Sequence, residues 1–413
     1  MTDLIKISAM FMQSVLLVAT GFPLMYLLFF AVAGWFYRQP RIAVDSSPRK
    51  IAVLIPAYRE DGVIVHTAMD ALRQDYPREL YDVVVIADSL MPETIDSLRQ
   101  MPVKVIEVRF DKSTKTKALN SAMERLGDDY DIAVVLDADN LMATDFLTRI
   151  NAGLQPGITA LQGHRTAKNL DTPMAILDAV SEEVNNHIFR RGHRAAGLSS
   201  AIIGSGMAFP YGFFKEMMLE VRAVGGFDKE IELRMLKEGH AIGYLDDAIV
   251  LDEKIRREEA FTNQRRRWLS AQATYLRKDF GPALSALLTR GNLDYFDKVV
   301  QFMLPPRILL LGAISCAAIL FVSLNILLGI PESYSYYWLA YLALIMLVFL
   351  LSVPRRFYNI PTLKALGSVP RGMFLMTKSL FRIRGANKEF IHTEHHSPVV
   401  HSTGVASRKT TTP

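Results

Sequence analysis

Residues 132–139 read Ile132-Ala133-Val134-Val135-Leu136-Asp137-Ala138-Asp139: five apolar residues, then two carboxylates one residue apart. A short, unbroken apolar run bounded by polar residues is what a strand buried on both faces of a sheet requires. Upstream, Ile51–Pro56, Tyr81–Ala87 and Val103–Val108 repeat the pattern, and longer amphipathic stretches separate them. Strands alternating with helices imply an α/β fold with a mostly parallel, doubly wound sheet. Ligands of such sheets bind beyond the carboxyl ends of the strands. The residues that follow each run therefore decide the chemistry.

The first run ends in Pro56-Ala57-Tyr58-Arg59-Glu60, the second in Asp88-Ser89 and the fourth in Asp137-Ala138-Asp139. Asp88 is either a helix cap or a ligand-facing carboxylate. On an extended segment Asp137 and Asp139 point the same way and can share one hard cation. Two carboxylates suit Mg²⁺ or Mn²⁺ completed by substrate phosphates better than an all-protein cage. Lys112, Lys115 and Lys117, interleaved with hydroxyls, open a helical pattern and form either a solvated face or a diphosphate site at a helix N-terminus. Gly204 and Gly206 allow a tight turn or a close backbone approach to a ligand. Asp228, Glu230 and Glu232 open another helix, as dipole partners or as a base. Gln264-Arg265-Arg266-Arg267-Trp268 is either a membrane-surface basic patch or a site for phosphate and a sugar face.

Outside this region, three stretches lack charge: Ile7–Tyr37, Ile308–Pro331 and Ser333–Pro354. Each is long enough to cross a hydrocarbon core of about 30 Å as a helix. The first exceeds the apolar part of a signal peptide and has no small-residue cleavage site before Arg38, so it reads as a retained anchor. The other two form a hairpin. Arg38, Arg41, Arg49, Lys50, Arg307, Arg355 and Arg356 flank the spans on one side, which predicts a cytosolic 38–307 region and tail in the cell (inner) membrane, with the N-terminus outside. The expected organisation is an anchor at 1–37, a catalytic domain at 38–270, interfacial helices at 271–305, the hairpin at 306–354 and a cytosolic tail at 355–413, disordered from Thr403.

Composition agrees with a membrane part. Half of the 413 residues are apolar and only 22% are charged, too apolar for a disordered chain. The single cysteine, Cys316, excludes an internal disulfide and a cysteine zinc cluster. A net charge of +5 does not argue for nucleic acid, and none is expected as a partner.

Taken in order, Pro-Ala-Tyr-Arg-Glu, Asp-Ser, Lys-Thr-Lys-Ala-Leu-Asn, Asp-Ala-Asp, Gly-Ser-Gly-Met-Ala-Phe, an acidic helix start and Gln-Arg-Arg-Arg-Trp resemble the membrane-bound family 2 glycosyltransferases, the group of cellulose and hyaluronan synthases. The resemblance covers residues 50–270, and Phe390-Ile391-His392-Thr393 also looks like bacterial members. It implies a GT-A (Rossmann-like) fold, a nucleotide-diphospho-sugar donor, with a UDP-sugar first among the candidates, a saccharide or lipid acceptor, and inversion at the anomeric carbon. Carried over by motif, Asp88 and Asp137 contact base and ribose, and Asp139 holds the metal. Pro56, Tyr58, Glu60 and Lys117 join the donor-binding set. Gln264, Arg267 and Trp268 match QxxRW, with Arg267 near the leaving diphosphate and Trp268 at the acceptor. The family's base motif is Glu-Asp where this chain has Phe227-Asp228. Counting back from Leu236 and Gly239 aligns Asp228 with the base, and Glu230 is the reserve.

Three spans make a thin channel for a polymer, which leaves open a polysaccharide synthase, a single-addition lipid transferase or an oligomer. A catalytically silent nucleotide-sugar-binding protein that recruits partners is the alternative from another class. A nucleotidyltransferase would need a Gly-rich phosphate loop near Ala57, and there is none.

Overall fold

The computed structural model describes residues 2–40, 47–223, 225–256 and 258–381. Arg41, the Phe390–Thr393 motif and the segment from Thr403 lie outside them.

Among the described residues eight strands form one sheet: β1 (Ile51–Tyr58), β2 (Tyr81–Asp88), β3 (Lys104–Val108), β4 (Ile132–Val135), β5 (Leu141–Met142), β6 (Ala160–Ala167), β7 (Met207–Pro210) and β8 (Ile242–Asp252). Their order across the sheet is β3-β2-β1-β4-β7-β6-β8-β5. The pairs β1/β2, β1/β4, β2/β3 and β6/β8 are parallel, and β7 and β5 run against their neighbours. The sheet is thus mixed but mostly parallel. β1 and β2 extend past the expected apolar runs because their polar ends keep pairing, Tyr58 opposite Asp88. Pro56, which cannot donate to a ladder, lies beyond the last β4 partner of β1, Leu54.

Continuous apolar strands need cover on both faces. On one face the helices Lys115–Arg125, Tyr211–Glu220, Phe227–Glu238 and parts of Glu258–Arg290 and Leu293–Gln301 bury Leu119, Phe214, Ile231, Tyr275 and Tyr295 against β1, β2, β4 and β7. On the other, the helices Ile64–Ala71, Pro92–Arg99 and Phe146–Gly153 bury Ala68, Leu98 and Ile150.

Among the described residues three helices are long and apolar enough to cross a membrane, spanning Asp3–Phe36, Arg307–Leu328 and Glu332–Ser352. The last two form the expected hairpin, turned at Gly329 in the left-handed conformation. Polar groups among apolar helices need partners. Gln13 Nε2 donates to Asn325 Oδ1 at 2.8 Å and Trp338 Nε1 to Gln13 Oε1 at 3.1 Å, so one cluster ties all three together. At the other end of the first helix, Tyr26 donates to Asp297 at 2.7 Å and Phe30 stacks on His193 at 3.7 Å, docking it onto the sheet domain.

Two boundaries differ from expectation. The helix Glu258–Arg290 runs unbroken through residue 270, where the catalytic domain was expected to end. Leu293–Gln301 is fastened to the domain by Lys298–Glu232 at 2.7 Å and by Asp294, which accepts from Ser199 N at 2.8 Å. Residues 355–381 are not a free tail. Helices Ile360–Leu366 and Val369–Phe381 return to the domain, with Arg371 paired to Glu258 at 2.5 Å and Arg356 donating to Thr166 at 2.7 Å. Ile360, Leu363, Phe374 and Phe381 stay exposed on these helices, giving them one wet-side and one apolar face.

Candidate active site

At the carboxyl end of β4 the chain turns at once. Asn140 N donates to Asp137 O at 3.1 Å, a tight turn rather than the extended segment assumed above. The two carboxylates accordingly part. Asp137 half-faces solvent and pairs with Lys115 Nζ, which also donates to Gly204 O at 2.6 Å. Asp139 is buried, and its Oδ2 accepts from Glu253 N at 3.1 Å.

The lysine motif is sorted by helix geometry. Thr114 caps the helix by accepting from Lys117 N at 3.2 Å. Lys115 then points to Asp137, while Lys117, about 200° further round, turns back to Lys112 O at 2.8 Å and is exposed. Of the two, Lys115 faces the site and Lys117 does not. Sequence reasoning chose between them without knowing which face of the helix met the sheet.

A cavity of about 1140 Å³ begins here. Its wall carries Lys115, Asp137, Gly204, Asp228, Arg267 and Trp268, so the β4 end, the glycine turn, the acidic helix and the basic helix meet in one space. Gly204 adopts φ +79°, and an added Cβ would sit 3.3 Å from Phe227 and 3.6 Å from Asp228 Cβ. Glycine there lets the turn close against the carboxylate-bearing helix.

The three acids of that helix separate cleanly. Asp228 faces the cavity. Glu230 is buried and paired to Arg234 at 3.0 Å, off the cavity wall. Glu232 reaches the wall but is paired to Lys298. Burial raises the pKa of Glu232 despite that partner.

On the basic helix, Arg265 pairs with Asp178 at 2.5 Å and lies over the Trp268 ring at 4.4 Å. Arg267 lies on the cavity wall, and burial lowers its pKa. Gln264 is off that wall, with its Oε1 buried and accepting from no donor. Pro56, Tyr58, Glu60 and Asp88 share the same sheet edge but not the cavity. Asp88 is buried, accepting from Ser89 Oγ at 3.1 Å, and Arg59 and Ser89 hold positive φ, +54° and +57°.

Behind Asp137 lies a buried charge network that the sequence reading missed. Arg165 pairs with Glu182 at 3.0 Å and approaches Asp252 at 3.7 Å, which holds Lys254 at 2.7 Å. Burial alone would raise Glu182, but Arg165, Lys254 and Arg190 outweigh it and hold the carboxyl well below its usual range. Its one sequence signal was Asp178 and Glu182 at i, i+4 within an apolar helical pattern, a spacing that puts both on one face.

Among the described residues no three His, Cys, Asp or Glu side chains converge as a metal cage. Asp137 and Asp139, joined by one turn, instead offer carboxylate oxygens alone, a donor set suited to a hard divalent ion with ligands from elsewhere.

Comparisons with known proteins bear on the family and the fold. The chain is 32% identical over 132 residues to glucans biosynthesis glucosyltransferase H of Rhodopseudomonas palustris (strain TIE-1), covering 28% of this chain and 18% of that protein. It is 26% identical over 317 residues to the cellulose synthase catalytic subunit (UDP-forming) of Komagataeibacter sucrofermentans, covering 72% of this chain and 40% of that one. The chain thus spans well under half the length of these curated relatives. In fold it resembles a mannosyltransferase from Pyrobaculum calidifontis, solved with GDP-mannose and Mn²⁺, at TM-score 0.50 and 18% identity over 85% of this chain and 99% of that one. Residues 48–271, more than half of the chain, match the model of the family described as "Glycosyltransferase like family 2", and the chain belongs to that family of glycosyltransferases.

Proposed function

We propose that the chain moves a hexosyl unit from a nucleotide-diphospho-sugar to a saccharide or lipid acceptor, with inversion, at the cytosolic face of the inner membrane. The observation that carries this reading is the single cavity in which Lys115 and Asp137 meet Asp228, Arg267 and Trp268. A UDP-sugar is the first donor to try, since the cellulose synthase relative is described as UDP-forming. The positive residues flanking the apolar helices, Arg38, Arg49, Arg307 and Arg355, support the cytosolic orientation.

Each side chain has a task. Lys115 and Arg267 set positive charge against the departing diphosphate. Asp228 accepts the proton of the acceptor hydroxyl as it attacks the face opposite the leaving group. Trp268 presents an indole to the acceptor sugar. Asp139, one turn on from Asp137, would hold Mg²⁺ or Mn²⁺, whose Lewis acidity would neutralise charge on the diphosphate.

The test compares two substitutions under saturating donor. Removing a positioned base costs about 10²–10⁴-fold in rate, so Asp228→Asn should lose that much turnover while donor affinity holds. Glu230→Gln, whose parent is occupied by Arg234, should stay near wild type. The reverse ranking would move the base to Glu230.

A further inference from the structure

We infer that the acceptor is a lipid-linked saccharide whose phosphate is held by Arg307 and whose hydrocarbon lies along Leu27, Leu311, Phe349 and Leu350. This rests on the transferase reading above and names its acceptor class.

Arg307 opens the first helix of the apolar hairpin and lines the same cavity as Asp228. Its Nη2 donates to Ser181 O at 3.2 Å and its guanidinium lies over Phe189 at 5.5 Å. Nη1 is buried with no hydrogen-bond partner. Among the described residues no carboxylate comes within ion-pair distance of it, although its basic neighbours each have one: Arg165 and Arg190 share Glu182, and Arg265 has Asp178. A buried guanidinium with an unused donor is costly unless an anion completes it. The whole cavity wall leans the same way, with eight basic against five acidic side chains, which favours an anionic occupant.

Arginine suits phosphate because its planar fork donates two parallel hydrogen bonds. The nucleotide diphosphate is not the natural candidate for this fork. Arg307 is anchored on Ser181 O beside Glu182, which Arg165 and Arg190 already occupy, whereas it is Lys115 that meets Asp137 and Gly204 at the β4 end. Beyond Arg307 the wall turns apolar, with Leu27, Leu311, Phe349 and Leu350 drawn from all three apolar helices. A soluble anion has no use for that wall. An anionic head next to a hydrocarbon wall describes an amphiphile with a phosphate at the junction. Arg265, stacked on Trp268 and close enough to Arg307 to interact with it, links the junction to the catalytic wall. A sugar carried on the phosphate would extend towards Trp268 and Asp228.

The experiment uses the full chain in nanodiscs of neutral lipid, with a fluorescent long-chain polyprenyl phosphate as probe and polyprenol and inorganic phosphate as competitors. Nucleotide-sugar binding and turnover are measured in parallel. The probe should bind saturably, polyprenol should compete weakly and inorganic phosphate not at all at matched concentration. Losing a charge-assisted contact corresponds to about 10–100-fold in affinity, so Arg307→Gln should weaken the probe by that factor and Arg307→Lys should recover part of it. Nucleotide-sugar affinity should not move. If Arg307→Gln does not fold, Leu311→Trp, which fills the apolar wall and leaves the charged end intact, should weaken the probe selectively. Unchanged probe affinity in Arg307→Gln and Leu311→Trp, loss of nucleotide affinity instead, or equal competition by inorganic phosphate would each overturn the assignment. Donor turnover without probe binding would defeat this inference alone, whereas absence of any donor binding would defeat the transferase reading itself.

Discussion

Lys115 and Lys117 are two positions apart and do opposite things, because a helix turns about 100° per residue. Lys115 bridges Asp137 and Gly204, and Lys117 folds back onto its own loop. Lys115→Met should raise the donor KM by about 10-fold or more, the usual scale for one charge-assisted contact, and Lys117→Met should leave it alone. Steady-state kinetics over a donor titration decides. His164 offers a second residue-scale test. It sits 3.2 Å from Glu183 and 3.1 Å from Asp246. Burial would lower its pKa, but the two carboxylates outweigh that and push it up to about 9, while they face an imidazolium that keeps Glu183 down at about 2 despite burial. A pKa raised above its ordinary 6.5 gives stability that is full below about 6.5 and lost as pH rises through about 9. The thermal midpoint should therefore fall between about pH 7 and about pH 10, and His164→Gln should flatten that fall. At this scale the sequence exposed which carboxylates and guanidines end each element. It did not show their directions, because Asp137 and Asp139 part only where Asn140 closes a turn.

At the scale of elements, legibility followed unbroken apolar runs rather than length. β1, β2 and β4 read directly from their apolar runs because both faces are covered. β5 has only two residues, β7 ends in Pro210, and the longer β6 and β8 are interrupted by Gln162, His164 and Arg165 and by Asp246 and Asp247, so none of them shows an unbroken apolar run. The helix Val369–Phe381 falls in the stretch expected as tail because its partners, Glu258 and Thr262, lie more than a hundred residues away. Helix crossings give this scale its own test. A Cβ on Gly192 would collide with the Phe30 carbonyl of the first apolar helix, so the two backbones touch. Gly192→Val should cost about 1–3 kcal/mol through overpacking, read as a lower unfolding midpoint in detergent.

Across the whole molecule, three apolar helices, a mostly parallel sheet and a returning pair of short helices enclose one cavity shared by charged strand ends and apolar walls. The sequence announced the helices and the strand ends separately. Their meeting was not legible, since it depends on Tyr26, Phe30 and His193 docking the first helix and on Arg307 reaching Ser181 from more than a hundred residues away. That meeting is what makes the chain, on this account, a transferase serving a membrane acceptor. The most direct measurement incubates the purified full chain in lipid with a panel of labelled nucleotide sugars, with Mg²⁺ or Mn²⁺ and again with excess EDTA. The account expects one donor to be consumed, its label to pass to membrane-associated material, and EDTA to stop the transfer. No consumption of any nucleotide sugar, or full transfer in EDTA, would contradict it.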